Sequence, residues 1–344
     1  RREFTLPEEP RRARAYIAGL GYYELHLNGR KVGNHVLDPG WTNYKKRVLY
    51  ATYDVTRLLR KGKNAIGVML GQGWYKSRAL MFELYVEDAS GNVTEIHSDS
   101  SWQTARGPIV EDSIYHGETY DARLEQPGWD RPDFAAPAAA TPAGWHPASL
   151  VEGPGGVLSS QMMPAIQVID TILPLTMTNP APGVYVFDLG QNISGWAQLR
   201  VNGPAGTDIR LRFSELLYDN GLINQENLRS ARAEDHYILR GDGATEVWEP
   251  RFTYHGFRYI EVTGFPGTPR LDSIRGRVVH TAVSPAGNFS ASTQILNDIQ
   301  HLILWGQKTN LHSIPTDCCQ RDERMGWMGD AQVTAEEAMM NFDM

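Results

Sequence analysis

Cysteine is almost missing from this chain: of 344 residues only two, Cys318 and Cys319, carry a thiol, and they are neighbours. A disulfide-stapled secreted scaffold is thereby excluded, because adjacent cysteines close no useful loop, and the ligand spacing of structural metal sites is missing as well. Long apolar runs are also lacking; none approaches the ~20 residues that cross a bilayer as a helix. Nor is there an excess of positive charge. Against 40 Asp and Glu stand 33 Lys and Arg, a net charge of −7, and the short cluster Arg11, Arg12 and Arg14 reads as a solvated strand entry. A nucleic-acid partner needs a basic footprint that this sequence does not offer. The chain opens Arg-Arg-Glu-Phe and not with Met, so its compartment is left open.

What is present is the composition of an ordinary folded protein, 41% hydrophobic, 21% charged and 10% aromatic, at a length that suits two or three domains. Residues 14–29 alternate in strand fashion and close on Asn28-Gly29, the strongest short hairpin signal. Further strands are expected at 47–53, 64–70, 80–87 and 93–98, the last two joined across 89–92. They are short, punctuated by Gly, Asp or Asn, and uninterrupted by an amphipathic helix, so residues 1–133 read as an antiparallel β-sandwich. The Ala- and Pro-rich stretch 134–144 then reads as the entry loop of a second β-sandwich, 134–285, with strands recurring between 166 and 280.

After Pro285 the period changes. Ser292 can cap a helix that carries Ile295, Ile299, Leu302 and Ile303 on one stripe, and a second helix is expected to open at Asp330 and run through Val333, Ala338 and Phe342. The chain is thus mostly β, with a helical third region at 286–344.

Between those helices lies the densest chemistry in the sequence, Asp-Cys-Cys-Gln-Arg-Asp-Glu-Arg-Met-Gly-Trp-Met-Gly-Asp at residues 317–330. Pro315, Gly326 and Gly329 argue for an irregular loop there, and loops held by rigid elements are where catalytic groups concentrate. Carboxylates beside a flat indole suit sugar chemistry, in which an acid protonates a departing oxygen while neighbouring groups hold the ring. A solvated network of surface ion pairs is the plainer alternative from composition alone.

Residues 317–330 resemble the catalytic loop of the bacterial α-L-rhamnosidases of glycoside hydrolase family 78, Asp-Cys-Pro-Gln-Arg-Asp-Glu-Arg-x-Gly-Trp-x-Gly-Asp, without a gap. Upstream, residues 37–48 and 71–75 are similar to the family's N-terminal β-sandwich, and residues 117–123, 188–192 and 254–259 to its later β segments. The resemblance implies two jelly-roll-like β-sandwiches followed by the first helices of a truncated (α/α)6 barrel. It implies removal of terminal α-L-rhamnose from rhamnose-containing glycosides or polysaccharides by an inverting mechanism, with no cofactor. Carried over residue by residue, Glu323 is the general acid, and Asp317, Arg321, Trp327 and Asp330 line the rhamnose subsite. The family's general base comes from much later in the barrel, so the chain is expected to be an N-terminal piece that holds the acid and lacks the base.

An acid of this kind must keep its proton near neutral pH, so its pKa is expected to be raised by burial or by Asp317, Asp322 and Asp330 nearby. Arg321 would oppose that unless committed elsewhere. Cys319 stands where the family has Pro, which frees one backbone dihedral; an inert thiol is expected rather than a reactive pair. The aromatic group Trp41, Tyr44, Tyr50, Tyr53, Trp74 and Tyr75 reads as core before it reads as a sugar platform. The Asp-Gly and Asn-Gly turns could suggest calcium in the N-terminal module, but lack EF-hand spacing. His280, His301 and His312 read as structural. A carbohydrate-binding β-protein without catalysis is the alternative function.

Overall fold

The computed structural model describes residues 1–141 and 143–344, which form two compact units: residues 1–110 with 124–162, and residues 111–123 with 163–344. This partition differs from the expected border at 133. The Ala/Pro-rich stretch, irregular where described, lies inside the first unit, and residues 111–123 belong to the second. The reason is strand pairing: Gly117–Asp121 lies parallel to Glu234–Ile238, with Thr119 opposite His236. Both helices fall within the second unit as well.

The first unit is a sandwich of two sheets. One runs in the order Val157–Ser160, Arg47–Asp54, Pro10–Leu20, Ala79–Asp88, Val93–His97, and the other Arg2–Leu6, Gly62–Gly71, Tyr22–Leu27, Arg30–Lys31. Alternation decides what each strand buries: Ala13, Ala15 and Ile17 from one sheet meet Tyr23, Leu25, Leu27 and Ile66 from the other around Trp102. The turn at Asn28-Gly29 takes left-handed φ values of 51° and 82°, as a two-residue hairpin requires. Tyr44 and Tyr53 are buried; Trp41 and Trp74 are half-buried, with ring centroids 5.5 Å apart.

The second unit is built on one long strand, Val184–Val201. Its first part pairs with Thr176–Ala181 and His255–Thr263; its last part pairs with Ile274–Thr281 and Glu246–Trp248. Register slips between Asp188 and Ile193, and the pairing with His255–Thr263 resumes beyond it as far as Gly195. Gly195, opposite both His255 and Val278, permits a close approach, since a Cβ there would lie 1.9 Å from the Arg277 carbonyl oxygen. Phe187, Phe213, Phe257 and Ile260 are fully buried in this unit.

Helix α1 spans Gln294–Thr309 and α2 spans Met328–Asn341. α1 begins after Thr293, not Ser292, and without a side-chain cap. α2 begins two residues before the expected Asp330, which sits in its first turn, where a carboxylate suits the helix dipole. α1 lies against Val184–Val201 and Ile274–Thr281, and Gln300 bonds Asn341 between the helices. The apolar stripe is bare: Ile295 is 59% exposed and Leu302 69%. Between the helices, His312 and Ser313 are fastened to the sheet through the Val279 carbonyl and the Thr281 hydroxyl, at 3.1 and 2.7 Å. No helix among the described residues is long and apolar enough to cross a membrane.

Candidate active site

Residues 317–327 form the irregular loop expected between the helices. Its ends are tied to each other: the Asp317 amide donates to the Met325 carbonyl at 3.1 Å, and the Arg324 amide to the Asp317 carbonyl at 3.0 Å. Closing the loop in this way draws Asp317 and Glu323 together across six positions. Cys318 and Arg324 take left-handed φ values of 47° and 58°, a local cost that the surrounding contacts sustain.

The main anchor is Arg324, which is 1% exposed. Its Nη1 donates to the carbonyls of Ile114 and Tyr254, its Nε to that of Arg321 at 3.0 Å, and its guanidinium lies over the rings of Tyr254 and Tyr115. The Tyr115 hydroxyl donates to the Glu323 carbonyl at 2.8 Å. Asp322 accepts from Arg229 Nε at 2.7 Å and from the Ser230 hydroxyl, both in the turn that follows Glu226–Leu228. It is therefore spent on anchoring, and these contacts hold its carboxyl below the usual range.

On the other side of the loop the expected residues gather. Reactive atoms of Asp317, Cys318 and Glu323 lie within 4.8 Å of one another, the one grouping of metal-ligand type among the described residues. Glu323 Oε2 accepts from Arg321 Nε at 2.7 Å and from Arg229 Nη2 at 2.9 Å. Two guanidinium groups already occupy that oxygen, which suits a proton-handling pair better than a cation site. Trp327 is 48% exposed and acts to lower the Asp317 pKa, while Asp330, also exposed, adds its negative charge to Asp317.

The electrostatics differ from expectation. Partial desolvation pushes Glu323 up, but hydrogen bonds from Arg321 and Asp317 and the charges of Arg321 and Arg229 outweigh it, and its pKa is lowered. Asp317 is the raised member, at about 6, through desolvation, the hydrogen bond with Glu323 and the charge of Glu323. Arg321 is committed, but to Glu323 itself, so two cations ionise the carboxyl expected to stay protonated.

Cys319 is buried against Gly256, and burial pushes its thiol up to about 12; both cysteines are free. His312 stacks on Tyr254 at 4.1 Å, His280 bonds the Thr281 carbonyl, and His301 is on the surface of α1. Sequence reading missed Arg229, Ser230, Tyr115 and the anchoring role of Arg324. Arg229 lies 94 residues before its partner Glu323 and carries no local signal.

Three family models match the chain in order: the α-L-rhamnosidase N-terminal domain over residues 8–170, the bacterial α-L-rhamnosidase concanavalin-like domain over 178–280, and the bacterial α-L-rhamnosidase 6 hairpin glycosidase domain over 284–344. A curated α-L-rhamnosidase of Streptomyces avermitilis is 46% identical over 358 aligned residues, covering 98% of this chain and 34% of the relative. Among solved structures, an α-L-rhamnosidase from Dictyoglumus thermophilum superposes with a TM-score of 0.95 at 51% identity, covering 100% of this chain and 39% of that one. The S. avermitilis α-L-rhamnosidase complexed with L-rhamnose gives 0.95 at 44% identity, over 99% and 34%. The chain spans about a third of the length of the curated relatives it matches. In sequence, in the order of its matched domains and in fold, this chain belongs to the bacterial α-L-rhamnosidase family.

Proposed function

We propose that a protein carrying this chain hydrolyses terminal α-L-rhamnosides, with Glu323 as the acid that protonates the departing oxygen and Asp317, Arg321, Trp327 and Asp330 as contacts to the sugar. The observation that carries this reading is the Asp317–Glu323 pair, with carboxylate oxygens within 4.8 Å of each other in the loop that also presents the half-exposed Trp327. A raised Asp317 beside an ionised Glu323 keeps one proton within the pair up to about pH 6, which is what acid assistance to a leaving group needs. The indole offers an apolar surface to a deoxyhexose and its methyl group.

Inversion requires a second carboxylate on the opposite face of the ring, ~6.5–9.5 Å from the acid. Asp317 is unsuited to that task, because within 4.8 Å of Glu323 it leaves no room for the attacking water. We assign the general base to a residue outside this loop. The rhamnose bound in the S. avermitilis relative supports the choice of sugar by family membership.

The test is hydrolysis of an aryl α-L-rhamnoside by a protein of the relatives' length containing these 344 residues. Glu323→Gln is expected to lower the rate at least ~10²-fold while rhamnose still quenches tryptophan fluorescence. An unchanged rate in that variant refutes the acid role.

A further inference from the structure

The loop motif does not contain everything that acts on Glu323. We propose that Arg229, from the β region of the second unit, is a positioning residue that clamps Glu323 and selects which member of the Asp317–Glu323 pair holds the shared proton at rest. The inference rests on the acid role proposed for Glu323 and names a residue outside the motif that tunes it.

The geometry is a fork across two neighbouring side chains. Arg229 Nε meets Asp322 Oδ1 at 2.7 Å, and its Nη2 meets Glu323 Oε2 at 2.9 Å. Arg321 reaches the same Oε2, but it belongs to the loop and travels with it; Arg229 follows the short helix Glu226–Leu228 and ties the carboxylate to the β structure. Ser230 adds its amide and hydroxyl to Asp322, so consecutive residues hold the loop from one side. At Arg229 the backbone sits at φ 57° and ψ −117°, a region that glycine takes readily and other residues at a cost of ~1–3 kcal/mol. An arginine stands there all the same, and its guanidinium reaches two carboxylates of the loop.

Other charged or titratable groups face the pair. They are Cys318 and Asp322 from the loop, Asp330 from α2, and Tyr115 and Arg324, whose charges also bear on Asp317 or its surroundings. Arg229 adds positive charge to Glu323 from outside the loop, and with Arg321 it leaves Oε1 outside the clamp. Before Glu323 can protonate a sugar oxygen, the O–H bond on Asp317 breaks and one forms on Glu323, while the negative charge passes to Asp317. The clamp sets how far that transfer runs uphill.

The experiment is a carboxyl-carbon NMR titration of this 344-residue chain with labelled Asp and Glu, assigned with Asp317→Asn and Glu323→Gln. Arg229→Gly keeps the backbone conformation and removes the guanidinium; the Glu323 midpoint is expected to rise by about one pH unit. Arg229→Lys, which restores the charge, is expected to return at least half of that shift, a rescue that a merely structural role would not give. Arg229→Gln carries the same expectation as glycine if the glycine variant does not fold. An unmoved Glu323 midpoint in the charge-free variant, or no rescue by lysine, overturns the proposal. The readout needs no turnover, so loss of the acid role in the Glu323→Gln assay would leave this result standing.

Discussion

Two buried carboxylates, one in each unit, show how differently the two β regions handle charge. Asp38 in the first unit and Glu118 in the second are 2% and 1% exposed. Asp38 Oδ2 is met by the hydroxyls of Tyr23 and Tyr53 and by His35 Nδ1, at 3.3, 3.1 and 2.7 Å. Glu118 has one oxygen on the amides of Arg251 and Phe252, at 3.0 and 3.1 Å, while its Oε1 has no protein partner among the described residues. Burial lifts its pKa to about 8, with the charge of Asp235 adding to the rise. Similar depth is thus met with three side-chain partners on one oxygen in the first unit and with a bare oxygen in the second. Orphaned polar atoms continue through His255, His312 and Thr316 to Asp317 itself. The unit that carries the loop therefore sustains polar strain that the first unit has largely neutralised.

The largest expected effect is on the anchor. Arg324→Met leaves the carbonyls of Ile114, Tyr254 and Arg321 without their donor and is expected to cost about 3–5 kcal/mol in chemical denaturation. A loss below ~1 kcal/mol would mean that the loop does not depend on this buried cation. Next comes Glu118. Its folded pKa lies above the unfolded value of about 4.5, so the native state binds more protons and loses stability as pH rises from there to about 8. Glu118→Gln is expected to match the parent near pH 4.5 and to gain on it as pH rises, exceeding it by a few kcal/mol above pH 8. Parallel stability curves for the two proteins would remove the contrast with Asp38. The smallest effect belongs to the first unit, where Asp38→Ala frees three donors and is expected to cost about 1–3 kcal/mol by thermal denaturation. A larger loss there than at Arg324 would reverse the comparison.

The strand pattern and the loop were legible because their signals are local. Alternation located the sandwich strands, Asn28-Gly29 its hairpin, and Pro315 and Gly326 the break between helices, whereas Gly329 lies inside α2. Helix starts slipped by one or two residues, since neither Ser292 nor Asp330 makes the cap that its type suggests. The unit border was hidden because residues 111–123 alternate like any strand, and only the distant pairing with Glu234–Ile238 assigns them. In the site, Asp317, Arg321 and Glu323 could be read together from one motif. Which carboxyl keeps the proton could not, because the motif does not say that Arg321 turns onto Glu323, and Arg229, which adds its charge there, enters from far away; together they oppose the order expected from the acidic neighbours alone.

The loop's fastenings have a practical corollary for protein engineering. Residues 317–330 lean on Ile114, Tyr115, Arg229, Ser230 and Tyr254, all outside the helical region. A graft of those fourteen positions onto another helical scaffold would import the carboxylates but leave behind the framework that aims them. Anyone shortening such a protein to its helical part would discard half of the tooling with what looks like packaging.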